Sequence, residues 1–165
     1  MKKFLMIMAA ALLLQTANAA ETFTLKAAGQ PTIAVTELPN GMKFKGFEGK
    51  PVLLNFFGKT CRYCQREIPH LEAAKKRFGD KIAIIGVHVQ ERMTPQERSA
   101  MHFDYPVYEY DDNQAIVRHI SSRARFNGSI PFNIFFNPDG EVAGIVPGYL
   151  SGEQLDAIFT DMLKQ

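Results

Sequence analysis

Tryptophan is absent from the 165 residues, cysteine occurs only twice and histidine four times. Two cysteines cannot build the bridged framework of a small secreted scaffold. One Cys-x-x-Cys pair with His70, His88, His102 and His119 scattered through the chain does not make the four-ligand set of a structural zinc site, so no metal is expected, and each histidine taken singly reads as a surface or packing residue. Charge of either sign is not in excess: 19 Lys plus Arg stand against 17 Asp plus Glu, without a basic tract, which removes the electrostatic case for nucleic acid. Repeats and low-complexity stretches are also missing. The longest early apolar run, Phe4 to Leu14, is eleven residues, well short of the roughly 20 that span a bilayer.

That run has a different meaning. Lys2 and Lys3 precede it and Ala17-Asn18-Ala19 follows it, which is the order of a secretory signal with a small-residue cleavage site. Residues 1–19 are therefore expected to be a cleaved signal peptide and residues 20–165 one exported domain, placed in the periplasm with no stable membrane insertion. Without Lys2 and Lys3 the 19 cations fall to 17, equal to the 17 acids.

Along that domain, Thr22-Phe23-Thr24-Leu25 alternates as a short strand does, and Thr32 to Leu38 and Met42 to Phe47 flank Asn40-Gly41 as an N-terminal β-hairpin would. Val52 to Phe57 is nearly all apolar, the signature of a central strand covered on both faces, with Asn55 as its one polar member. From Arg62 to Phe78, Ile68, Leu71, Ala74 and Phe78 recur at helical spacing, Pro69 lies inside, and Gly79 stops the run. Lys81 to Val89 reads as a second buried strand, parallel to the first. Thr94-Pro95-Gln96-Glu97 is a capping box opening a helix to about Met101; Phe103 to Tyr110 reads as extended, and Gln114 to about Ser121 as helix. Ile130 to Phe136 and Glu141 to Val146 form a strand pair about Asn137-Pro138-Asp139-Gly140, and Leu155, Ile158, Phe159 and Met162 line one face of a last helix. The expected class is α/β, a mixed central sheet with helices on both faces.

Cys61 and Cys64 fall where the first buried strand hands over to the helix. A structural disulfide there would close too short a loop to remove much chain entropy, so redox exchange is the reading the pair supports. Cys61, at the helix N-terminus beside Lys59 and Arg62, has the environment that favours a thiolate; Cys64, one turn in, is set to resolve a mixed disulfide. Asn55, six residues earlier on the strand, is placed to lie beneath the sulfurs.

Strand, Cys61-Arg62-Tyr63-Cys64, a helix containing Ile68-Pro69, the strand opening Ile130-Pro131 and the turn Asn137-Pro138-Asp139-Gly140-Glu141 together resemble the thioredoxin superfamily, and most closely its exported TlpA/ResA branch. The resemblance implies a thioredoxin-like fold and a thiol–disulfide oxidoreductase without cofactor. It implies a cis Pro131 against the sulfurs, the Ile130 backbone pairing with an extended substrate, and Glu67 exchanging protons with Cys64 or raising its pKa. It further implies a reductant, acting on protein disulfides or apocytochrome c and fed by a membrane thiol carrier. Thr60 stands where the family carries tryptophan, and Asn55 where thioredoxin has a buried aspartate. A disulfide-forming oxidant of the same fold, and a copper(I) delivery protein using the two thiolates, are the alternatives.

Overall fold

The protein is described as a computed structural model covering residues 20–164; the expected signal peptide lies outside the described residues. In chain order the elements are β1 (Thr22–Leu25), β2 (Ile33–Leu38), β3 (Gly41–Phe44), β4 (Val52–Phe57), α1 (Arg62–Phe78), β5 (Ala83–His88) and α2 (Pro95–Met101). Then follow β6 (Val107–Glu109), α3 (Gln114–Ala124), β7 (Phe132–Phe136), β8 (Val142–Pro147) and α4 (Gly152–Met162).

All six residues of β4 are buried, and β4 sits in the middle of a five-stranded sheet ordered β6-β5-β4-β7-β8. Its pairing with β5 is parallel and with β7 antiparallel, so the sheet is mixed as expected. Alternation along β4 divides the core. Val52, Leu54 and Phe56 face one cluster with α3 residues Ile116, Val117 and Ile120, while Leu53 and Phe57 face another with Leu71 of α1 and Leu155 and Phe159 of α4. Each of these large apolar side chains contributes on the order of 1.5–3 kcal/mol by leaving water.

The N-terminal extension goes one strand beyond a hairpin. β1 pairs antiparallel with β2, giving a separate β1-β2-β3 sheet whose Leu25, Ile33, Val35 and Phe44 join the α3-side core. The turn also falls one residue earlier than Asn40-Gly41 suggests: Leu38 pairs with Gly41, leaving Pro39 and Asn40 as the turn. Gly41 is needed for space, because a Cβ there would run into the Gly140 carbonyl and lie 2.7 Å from the Glu141 Cα. Of the aromatic stretch from Phe103 to Tyr110, only Val107–Glu109 pairs as strand. Phe103 and Tyr105 pack beneath the sheet instead.

Candidate active site

Helix α1 starts on the first cysteine. Cys61 has the extended backbone of an N-cap, with φ −80° and ψ 110°, and its sulfur accepts the Cys64 N–H at 3.1 Å. That amide is one of the donors a helix start leaves unpaired, so the sulfur does here what a serine or aspartate oxygen does elsewhere. Cys61 and Cys64 form a disulfide with Cα atoms 5.2 Å apart, Cys61 partly accessible and Cys64 completely buried. No acidic residue occupies the first turn of the helix.

Pro131 follows a cis peptide bond, and the carbonyl of Ile130 lies 3.6 Å from the Cys61 sulfur. The Pro131 carbonyl accepts the Gly148 N–H at 2.8 Å, which ties this segment to the loop after β8. The Ile130-Pro131 pair and the cysteines, far apart in sequence, therefore meet over the C-terminal end of β4.

Glu67 is buried completely, one helical turn beyond Cys64 on the same face of α1. Its carboxylate accepts three N–H bonds: from the Asn55 side chain at 3.0 Å, the Asn133 side chain at 3.0 Å and the Leu150 backbone at 2.8 Å. Burial pushes its pKa from 4.5 up to about 7, and the donors from Leu150, Asn133 and Asn55 hold it from going higher. Sheet register explains the cluster. Asn55 on β4 is directly opposite Asn133 on β7, both pointing to the α1 side, and Asn55 also donates to the Asn133 oxygen at 2.8 Å. Asn133 is the member sequence reasoning missed, since only the pairing of β4 with β7 places it beside Asn55.

A second buried group supports the loop before Cys61. Lys59 N–H donates to His88 Nε2 at 3.1 Å, His88 Nδ1 lies 2.8 Å from Glu109, and Arg98 reaches the other Glu109 oxygen at 3.1 Å. Since Nε2 accepts, Nδ1 carries the proton and donates it to Glu109. Burial raises the Glu109 pKa, but the His88 hydrogen bond and the charge and hydrogen bond of Arg98 hold it below the usual carboxylate range. Next to this, Gln90 accepts from both the Thr60 N–H and hydroxyl at 3.0 Å. His88 also escaped sequence reasoning, although its place at the C-terminal end of a buried parallel strand is where α/β proteins put their sites.

Among the described residues the one cluster with metal-ligating groups in reach of one another is Glu21, Glu37 and His119, and Arg123 already pairs with Glu37 at 2.7 Å. No helix among the described residues is long and apolar enough to cross a membrane.

This geometry has counterparts. The chain is 27% identical over 127 residues to a thiol-disulfide oxidoreductase ResA of Oceanobacillus iheyensis, covering 75% of this chain and 63% of that protein. To the ResA of Bacillus cereus it is 27% identical over 130 residues, covering 76% and 72%. Its fold is that of a thioredoxin-family thiol:disulfide interchange protein from Chlorobium tepidum, with a TM-score of 0.66 at 20% identity over 88% of this chain and 95% of that one. StoA from Bacillus subtilis is similar too, with a TM-score of 0.60 at 18% identity over 84% and 96%. The AhpC/TSA family model matches residues 16–145, a span that takes in both cysteines, Glu67 and Pro131, and the chain belongs to that thioredoxin-like family.

Proposed function

We propose that the chain is an exported thiol–disulfide oxidoreductase that reduces protein disulfides. The observation that carries this is the pairing of a partly accessible Cys61, capping α1, with a buried Cys64 one turn behind it. In the reduced protein the Cys61 thiolate attacks a substrate disulfide, forming a mixed disulfide and releasing one substrate thiolate. Cys64 then loses its proton and attacks the Cys61 sulfur, which re-forms the Cys61–Cys64 bond and releases the second substrate thiolate. Two electrons pass to the substrate, and Glu67, with a pKa near neutrality, is the base placed one turn from Cys64 to take its proton. Asn55 tunes Glu67, while the backbone of Ile130 beside Pro131 holds the extended substrate segment.

The resemblance to the TlpA/ResA branch implies a reductant in the periplasm, with a membrane thiol carrier restoring the dithiol and apocytochrome c or wrongly paired proteins as substrates; the relatives named ResA are thiol-disulfide oxidoreductases. Arg62 and Arg66 beside the helix start favour the opposite reading, an oxidant, by stabilising the thiolate. The reduction potential separates the two. A value at or below about −220 mV supports the reductant; one near about −120 mV overturns it. The exchange chemistry itself is tested with Cys64→Ser, which should accumulate a mixed disulfide through Cys61 with a protein substrate, whereas Cys61→Ser should not. Copper(I) delivery is weakened by His70 and His88, which are held by Tyr149 and by the Lys59 amide. Tight stoichiometric copper binding without disulfide reduction would restore it.

A further inference from the structure

The rim of the disulfide carries two cations that make no ion pair among the described residues. Arg62 and Arg66 are exposed, and among the described residues neither has a carboxylate within 4.0 Å. Lys59, by contrast, is neutralised by Glu97 at 3.0 Å. Glu67, the first acid along α1, is turned into the core and offers the arginines nothing at the surface.

Arg66 is also held in place. Its guanidinium carbon lies 5.9 Å from the Tyr63 ring centroid and 5.2 Å from that of Tyr149, and the Tyr149 hydroxyl is hydrogen-bonded to His70 at 2.9 Å. Ring faces engage the plane of a guanidinium and leave its N–H edge for a carboxylate, which fits that edge with two parallel hydrogen bonds. A side chain already ordered this way loses less rotamer freedom when it binds. Tyr63, between the two cysteines and 57% exposed, adds apolar surface where Thr60 offers none. The loop carrying Tyr149 is tied to the Ile130-Pro131 segment through the Gly148 N–H to Pro131 carbonyl bond, so the ring that holds Arg66 is anchored beside the site.

We infer that this surface selects substrate segments with an aspartate or glutamate beside the reacting cysteine, recognised by Arg62 and by the clamped Arg66. The inference rests on the thiol–disulfide exchange reading above. A segment lying along Ile130 with its sulfur at Cys61 passes over the first turn of α1, where the helix N-terminus adds its own positive potential to the two arginines.

The test uses the reduced protein and three disulfide-cyclised peptides that are identical except for Glu, Gln or Lys at the positions flanking the cysteines, with reduction followed by chromatography. At about 20 mM salt the Glu peptide should react roughly three- to tenfold faster than the Lys peptide, with Gln between, and the ratio should shrink toward one near 0.5 M salt. Arg66→Gln should lower the Glu-to-Lys ratio, and Arg62→Gln with Arg66→Gln should bring it close to one. Each ratio is taken within one variant, so a loss of folded protein cancels. Arg118→Gln, which alters a remote arginine bonded to Gln114, should leave the ratio as it is. Equal rates for the three peptides at low salt, or a ratio that survives the double substitution, overturn the inference. Failure to reduce any of the three refutes the exchange reading and takes the inference with it.

Discussion

The Nε2 of His88 accepts the backbone N–H of Lys59, so a side chain at the end of β5 fixes the loop that delivers Cys61 to its helix. The bond sets the tautomer: with Nε2 occupied as an acceptor, Nδ1 holds the proton and donates to Glu109. Both His88 and Glu109 are buried, and parallel pairing puts them side by side on the face that α2 covers with Arg98.

Replacing His88 therefore separates the two bonds. Glutamine can place its amide oxygen near the position of Nε2 and keep the Lys59 bond; asparagine reaches only the position of Nδ1 and leaves that amide unpaired. His88→Gln gives up the donor to the buried Glu109 carboxylate and His88→Asn the acceptor of the partly buried Lys59 amide; each should cost about 1–3 kcal/mol, His88→Gln the more because Glu109 is charged. Denaturant midpoints of the oxidised forms check the order. The reduction potential should shift with His88→Asn and stay closer to the parent with His88→Gln. Equal potentials in both variants would show that the loop bond has no bearing on the sulfurs.

How far such features are legible depends on what fixes them. Cys61, Cys64 and the start of α1 can be read from adjacent residues, because capping and helical spacing are local. Glu67 is a middle case: its position one turn after Cys64 puts it on the buried stripe with Ile68 and Leu71, yet a glutamate near a helix start reads equally well as solvated. Asn133 and the His88 to Glu109 pair depend on strand register. Their partners are 78 and 21 residues away, a distance across which no spacing rule operates. The strand Thr22–Leu25 itself is legible from its alternation, but its pairing is not, since it looks alike whether it pairs with β2 or runs alone.

Gly41 joins the two sheets by close approach. Beside it the Met42 N–H donates to the Gly140 carbonyl at 2.7 Å and the Val142 N–H to the Asn40 carbonyl at 2.8 Å. An added methyl group at 41 would meet backbone, which has less room to move than a side chain. Gly41→Ala should cost about 1–3 kcal/mol, as overpacking does. Gly144→Ala, on β8 with open space around the position, should cost much less. A thermal unfolding comparison of the two variants checks this, and equal losses would remove the close contact as the cause.

Asn133 gives Glu67 one of its three hydrogen bonds and holds the Asn55 amide with its own oxygen. Truncation by Asn133→Ala takes away a donor that favours the ionised carboxylate, so the pKa of Glu67 should rise above about 7. Stability should fall by roughly 1–3 kcal/mol at neutral pH, because one N–H of the Asn55 amide loses its acceptor in the core while the other still donates to Glu67. Carbonyl-edited infrared or NMR titration of Glu67 in the two proteins reads the pKa directly. An unchanged or lowered value would mean that the Asn133 contact does not carry weight.

Glu67 should also leave its mark on stability as a function of pH. Its carboxyl titrates near 4.5 when unfolded and at about 7 when folded. Below 4.5 both states hold the proton and nothing is lost. Between 4.5 and 7 the folded protein keeps a proton that the unfolded chain has released, so stability falls as pH rises through this window. Above about 7 both states are ionised and the decline stops, having removed about 3 kcal/mol. Glu109 works in the other direction, because its pKa is held low in the fold, and its contribution is lost only as pH falls below the ordinary carboxylate range. The two effects therefore occupy different parts of the curve. Urea unfolding of the oxidised protein from about pH 2 to 9 should show the decline, and Glu67→Gln should flatten it between 4.5 and 7 while leaving the acid limb. Glutamine does set an amide donor against the Asn55 donor, so a uniform loss of stability is expected alongside. Parallel curves for the parent and Glu67→Gln through that window would mean that Glu67 does not titrate there, and it would then be unable to serve Cys64 as a base at neutral pH.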